Sequence, residues 1–180
     1  MKLSDEQLVK KCLEKDPLAQ KQLFDSFSRK MMGVCLRYTK DVEEAQDVLQ
    51  IGFVKVFEKL HLFNNEGSLE GWIRKVLVNC ALDQIRKNKK FDDNVDLSKV
   101  DFQMASENEN VLEHLSANDL LKIIQEMPTG FRTVFNLYAI EGYTHQEIAD
   151  QLNISINTSK SQYSRARVYL QKIILEEKIL

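Results

Sequence analysis

Apolar residues recur every three or four positions along most of this chain, with polar and charged residues between them, and that period predicts helices. Ser4 is placed to cap a first helix running to about Lys15. Asp16-Pro17 restarts the chain, with Asp as cap and Pro at the first helical position. Leu18, Leu23, Phe24, Phe27, Met31, Val34, Cys35 and Tyr38 carry that second segment forward as one helix or a bent pair. Thr39-Lys40 breaks it, Asp41 and Glu44 form another cap-like pair, and the next helix extends to about Leu60. A polar loop over 61–67 precedes a helix from about Ser68 to Lys90. After residue 110 the helical period returns to Met127, Pro128 interrupts it, and Thr129 opens a further helix closed by Gly142.

The segment 142–155 has the most specific local grammar. Thr144 and Glu147 have capping-box spacing, Ile148, Ala149 and Leu152 give one apolar face, and Asn153 stands where left-handed backbone is wanted. Ser155 then caps a last helix running to about Glu176. The pattern predicts a helix-turn-helix whose second helix can enter a DNA major groove.

Composition narrows the class. Gly and Pro number only 6 and 2, which favours an all-α fold over a turn-rich β fold. No apolar run is long enough to span a bilayer, and the polar, acidic start lacks the apolar stretch of a signal peptide, so a cytoplasmic location without membrane insertion is expected. Cys12, Cys35 and Cys80 are far apart and read as buried free thiols. His61, His114 and His145 have no ligand spacing with them, so no metal and no cofactor is expected. The net charge of −2 looks wrong for a nucleic-acid binder, but its distribution does not. Residues 1–90 carry 17 Lys/Arg against 13 Asp/Glu, whereas residues 91–112 carry one Lys against six acids and show no apolar period. The organisation expected is two helical domains, 1–90 and 113–180, joined by an acidic flexible linker over 91–112.

Three helix faces carry candidate binding chemistry. On the last helix, Lys160, Ser161, Gln162, Ser164, Arg165 and Arg167 are expected to face solvent or DNA, while Tyr163, Ala166, Val168, Leu170 and Ile174 help bury the helix. Arg can bridge a guanine edge and Gln an adenine edge, whereas Ser, Thr and Lys suit phosphates. On the helix over 68–90, Arg74, Lys75, Asn79, Arg86 and Lys87 offer charge and an amide to single-stranded nucleic acid. Trp72 on that helix reads from composition as a core residue. On the helix over 41–60, Asp47, Ile51 and Val54, with Gln50 at the margin, lie opposite the stripe Ala45, Val48, Leu49, Gly52, Phe53, Val56 and Leu60. That mixed apolar and acidic face suits either plain solvent exposure or docking on another helix.

Taken in order, these segments resemble the extracytoplasmic-function (ECF) sigma factors, the smallest group of the bacterial sigma-seventy class. The run 45–57 resembles region two-point-two, 72–86 matches the spaced Trp, Asn, Asp and Arg of the minus-ten helix, and 141–167 resembles region four-point-two. The resemblance implies a promoter-directing transcription initiation factor without catalysis of its own. Its implied partners are core RNA polymerase, through its beta and beta-prime subunits, promoter DNA and, commonly, an anti-sigma factor. It implies polymerase contact at Asp47, Gln50, Ile51 and Val54, and a minus-ten site using Trp72, Arg74, Lys75, Asn79, Arg86 and Lys87, with the loop 63–70 over a flipped base. It also implies minus-thirty-five contact from the last helix, through Thr158, Lys160, Ser161, Gln162, Ser164, Arg165 and Arg167. Ile51 and Gly52 stand where Glu and a small hydroxyl or Ala are frequent, Ser159 where Val is, and Gln162 where Arg is. The rival readings are a stand-alone helix-turn-helix regulator, which would need a ligand or phosphoacceptor domain before residue 110, and an anti-sigma or adaptor protein, against which the basic helix over 74–90 argues.

Overall fold

The computed structural model describes residues 3–87 and 116–177, so the expected linker over 91–112 lies outside the described residues. These residues form eight α-helices and no strand. The chain divides into two compact units, Met1–Gln84 and Ile85–Leu180.

The first unit is built from helices whose starts are set by local side-chain caps. Helix α1 (Asp5–Leu13) opens on a capping box between Ser4 and Gln7. Asp16 accepts from the Leu18 amide at 2.9 Å to start α2 (Pro17–Tyr38), which is one unbroken helix rather than a bent pair. Asp41 accepts from the Glu44 amide at 2.8 Å to start α3 (Val42–Lys59). A 3₁₀ turn, Leu60–Leu62, leads into a loop expected from sequence to be polar. That loop is anchored instead by buried Phe63, whose ring packs on Trp72 with centroids 5.7 Å apart. Ser68 accepts from the Gly71 amide at 3.0 Å as α4 (Leu69–Lys87) begins.

The core of this unit joins Leu23, Met31 and Tyr38 of α2 to Ala45, Val48 and Val56 of α3 and to Ile73, Leu77 and Leu82 of α4. Each large apolar side chain so enclosed contributes about 1.5–3 kcal/mol. Burial also raises the Cys35 thiol to about 12, which keeps it protonated and unreactive. Helices α3 and α4 meet at Gly52, where an added Cβ would run into Leu77 Cδ1. Leu77 therefore occupies the space that a side chain at 52 would need.

In the second unit, Ser116 caps α5 (Ala117–Glu126), and Pro128 precedes α6 (Thr129–Phe135). The next five residues, Asn136–Ile140, form a π-helical turn closed by a 2.9 Å bond from the Glu141 amide to the Asn136 carbonyl. The wider turn keeps Asn136 and Leu137 inside and sends Tyr138, Ala139 and Ile140 to the surface. Gly142, at φ +78°, ends the segment. Helix α7 (His145–Leu152) opens on the Thr144–Glu147 capping box and closes on Asn153 at φ +55°, ψ +48°. Helix α8 (Ile156–Glu177) follows. Ile124, Met127, Phe131 and Ala166 form the heart of this unit, with Leu120, Phe135, Tyr169 and Leu170 packed around it. Arg132 lies inside as well, its Nη1 donating to the Gln125 carbonyl at 2.7 Å.

The contact at Gly52 yields a direct test. Gly52→Ala should destabilise the chain by about 1–3 kcal/mol, because fully buried Leu77 has no solvent to swing into. In a Leu77→Ala background, itself costing about 2–5 kcal/mol, the same change at 52 should become neutral or stabilising. Denaturant melts of the four chains measure that reversal, and additive losses would refute the steric account.

Candidate protein-binding and nucleic-acid interfaces

On α3, Asp47, Gln50, Ile51 and Val54 all reach solvent, at the i, i+3, i+4 and i+7 positions of one stripe. Ile51 is 47% and Val54 57% exposed. Two branched apolar side chains in water beside a carboxylate and an amide present both a desolvation gain and polar specificity to a partner helix.

On α4 the structure separates the expected residues. Trp72, Lys75, Asn79, Arg86 and Lys87 follow one another at helical spacing down a single flank. Trp72 is half-buried by its contact with Phe63, while Lys75, Asn79, Arg86 and Lys87 are exposed. Arg74 does not join them. It lines a groove of about 510 Å³ with Ser26, Lys30, Ser68 and Glu70, because two positions along a helix turn a side chain to the far side. Lys30 and Glu70 meet across that groove at 2.6 Å.

On α8 the reading from sequence needs correction. Gln162 is buried rather than exposed, with only 7% of its surface accessible. It shares a stripe with Ser159 and Ala166, both fully buried, and its amide packs on Gly130 of α6. A base-reading role for Gln162 is therefore withdrawn. Thr158 is half-buried, and its hydroxyl lies 2.8 Å from Ser155 Oγ in the cap that starts the helix. Ser161 donates to the Thr158 carbonyl at 3.0 Å. The open stripe is Lys160, Ser164 and Arg167, with Arg165 half-buried beside it. Asn157 joins this stripe three positions before Lys160 and was missed by the sequence reading, although its spacing was visible. An Asn amide can pair with an adenine edge.

The angle between α7 and α8 is held by an aromatic stack and one hydrogen bond. His145 stacks on Tyr138 at 4.3 Å, Tyr138 packs on Tyr163 at 4.5 Å, and His145 Nδ1 lies 2.9 Å from Ser159 Oγ. The π-helical turn supplies Tyr138 to this stack. Burial, and then the nearby Lys160 ammonium, lower the His145 pKa below its ordinary 6.5. The neutral ring is thus the form the fold accommodates. Among the described residues, no group of His, Cys, Asp and Glu could hold a metal ion, and no helix is long and apolar enough to cross a membrane.

Comparison with known proteins places both parts of the chain in one family. Residues 23–91 match the family model for sigma-70 region 2, and residues 117–170 match that for sigma-70 region 4. The chain is 24% identical to the RNA polymerase sigma-H factor of Pseudomonas aeruginosa over 94% of its own length and 93% of the relative's. It is 25% identical to the ECF RNA polymerase sigma factor SigW of Bacillus subtilis, over 96% and 97% respectively. In fold it is similar to the sigma factor RpoE of Bartonella quintana, solved in complex with the anti-sigma factor NepR. That similarity has a TM-score of 0.52 at 22% identity, covering 87% of this chain and 96% of the other. The chain belongs to the sigma-70 family of transcription initiation factors, in its extracytoplasmic-function group. The stand-alone regulator is set aside, because region 2 occupies the part of the chain where such a protein would carry its sensor.

Because the folded state disfavours the imidazolium of His145, its contribution is intact above about pH 6.5 and is lost as the pH falls, the unfolded chain taking up the proton first. Protection of the α7 amides, taken relative to the intrinsic exchange rate at each pH, should therefore fall between pH 7 and 5.5 in the wild type. His145→Asn should flatten that dependence, and an unchanged slope would show that another group governs it.

Proposed function

We propose that three exposed helix faces divide the work of promoter-directed initiation. The α3 stripe of Asp47, Gln50, Ile51 and Val54 docks on core RNA polymerase. The flank of α4 bearing Lys75, Asn79, Arg86 and Lys87 receives the melted non-template strand of the minus-ten element. The α8 stripe of Lys160, Ser164 and Arg167, with Asn157 and Arg165 beside it, enters the major groove of the minus-thirty-five element. RNA synthesis itself belongs to the core enzyme, and the factor works in the cytoplasm where that enzyme is. An anti-sigma factor is a further partner on this reading, as NepR is for RpoE.

The observation that carries this reading is the solvent-exposed Ile51–Val54 pair beside Asp47 and Gln50. Its residues have no role in the core of their own unit, so the fold does not require them to be apolar. Strand capture by α4 trades the cost of unstacking against charge and base contacts, which favours the open duplex. Two weak DNA readers tethered through one polymerase gain affinity through effective concentration.

Asp47→Lys combined with Gln50→Ala should weaken pull-down of core polymerase by about 30-fold or more, the scale of a disrupted interface centre. Both positions are exposed, so unfolding free energy should stay within about 0.5 kcal/mol of wild type. Unchanged core binding would remove the docking assignment. For the duplex reader, transcripts made by reconstituted holoenzyme and mapped by sequencing define the promoters. On those promoters, Lys160→Ala and Arg167→Ala should each lower the salt dependence of holoenzyme binding by about one released counterion. A salt slope equal to wild type in both would show that α8 lies away from the phosphates.

A further inference from the structure

Among the exposed apolar side chains of the second unit, one stands where the last helix begins. Ile156 is the first residue of α8 and is 38% exposed. It precedes Lys160 by one helical turn, so it opens the stripe that Lys160, Ser164 and Arg167 continue. Asn157, beside it, is exposed as well. The fold does not call for an apolar residue at 156. The buried side of the helix-turn-helix is supplied by Ile148, Ala149 and Leu152 of α7 and by Ser159, Gln162 and Ala166 of α8.

The first turn of α8 is held in place locally. Asn153 turns the chain with its left-handed backbone, and Ser155 Oγ accepts from the Thr158 amide at 2.9 Å to set the helix start. A β-branched side chain in a helix keeps one preferred χ1, so Ile156 has less rotamer freedom to lose on contact than Lys160 or Arg167. What it can recognise is narrow. Its companions on the stripe are an amide, a hydroxyl and two cations. That setting suits an anionic polymer, whereas a protein-docking patch would offer several adjacent apolar groups. The N-terminal residues of a recognition helix meet base edges, and in the major groove only thymine presents an apolar group, its C5-methyl.

Resting on the assignment of α8 to the major groove, we infer that Ile156 is a specificity-determining residue that packs on the C5-methyl of one thymine in the minus-thirty-five element. Water leaves both apolar surfaces as they meet, a gain that neither cytosine nor uracil can return because each lacks the methyl. The contact discriminates at a single base, whereas contacts to phosphate hold any sequence.

The test uses holoenzyme assembled with excess core polymerase and fluorescein-labelled duplexes of a promoter mapped by the transcript sequencing above. Each minus-thirty-five thymine of either strand is replaced in turn by uracil, which removes one methyl and leaves base pairing intact. Affinity is read by anisotropy, with core alone subtracted. With the wild-type chain, uracil at one position should weaken binding about two- to fivefold, the scale of one buried methyl. Ile156→Ala should weaken binding to the thymine duplex by a similar factor and abolish the response to uracil at that position. Ile156→Val keeps a branched apolar contact and should retain the response. Ile156 lies outside the core, so Ile156→Ala should melt with the wild type. The uracil series on the wild-type chain tests the methyl contact without any variant. A series in which no uracil weakens wild-type binding would overturn the contact, and so would a loss that persists undiminished in Ile156→Ala. Mapped minus-thirty-five elements that share no thymine would overturn it too. Lys160→Ala and Arg167→Ala serve as the control for the underlying assignment. If both leave the salt slope unchanged, α8 lies off the duplex and that assignment fails with the contact. If they lower the slope while uracil has no effect, the assignment stands and the methyl contact falls.

Discussion

The first unit depends on how closely α3 and α4 approach at Gly52. With no side chain there, Leu77 enters the space and the two helices share a wall of fully buried residues. Their outer faces then stand at a fixed angle, because a helix packed by interlocking side chains cannot roll without opening a void. The stripe of Asp47, Gln50, Ile51 and Val54 on one helix and the flank of Lys75 and Asn79 on the other, the docking and strand-binding faces of the proposed function, are held in register by the same interior contact. The family resemblance finds Ala or a small hydroxyl frequent at this position. Here a glycine stands there, and Leu77 occupies the space a methyl would need.

The second unit solves a similar problem with polar and aromatic groups. Asn153 takes the left-handed conformation that turns the chain between α7 and α8. The angle is then held by His145 against Ser159 and by the stack of Tyr138, His145 and Tyr163. Where an aliphatic residue is frequent in the family, a hydroxyl stands fully buried with an imidazole as its partner, which satisfies a polar group that would otherwise be costly to enclose. The π-helical turn belongs to the same device, since it brings Tyr138 into reach of the ring.

Much of this was legible from sequence where the physics is local. The caps at Ser4, Asp16, Asp41 and Thr144 are bonds between residues two or three apart, so spacing alone reveals them. The α3 stripe was legible because an amphipathic period also marks which residues it leaves outside. Whatever depended on a distant segment was not. Gln162 reads as a surface residue until α6 places Gly130 against it. Lys55 and Asp83, which form an ion pair, are separated by 28 positions, and neither spacing nor charge count links them. Phe63 stands at the edge of a polar loop, and its spacing gives no hint of its contact with Trp72. The π turn left no mark in the apolar period, which runs through it without a break.

Burying Ser159 and Gln162 on the side of α8 that meets its neighbours separates the helix into a fixed keel and an open edge. The keel fixes the pitch and roll at which the helix is offered to a groove. On the proposed function, exchanging Asn157, Lys160, Ser164 or Arg167 one at a time retunes which sequence is preferred without disturbing how the helix is mounted. A bacterium carrying several such factors could diversify its regulatory vocabulary on a single inherited chassis.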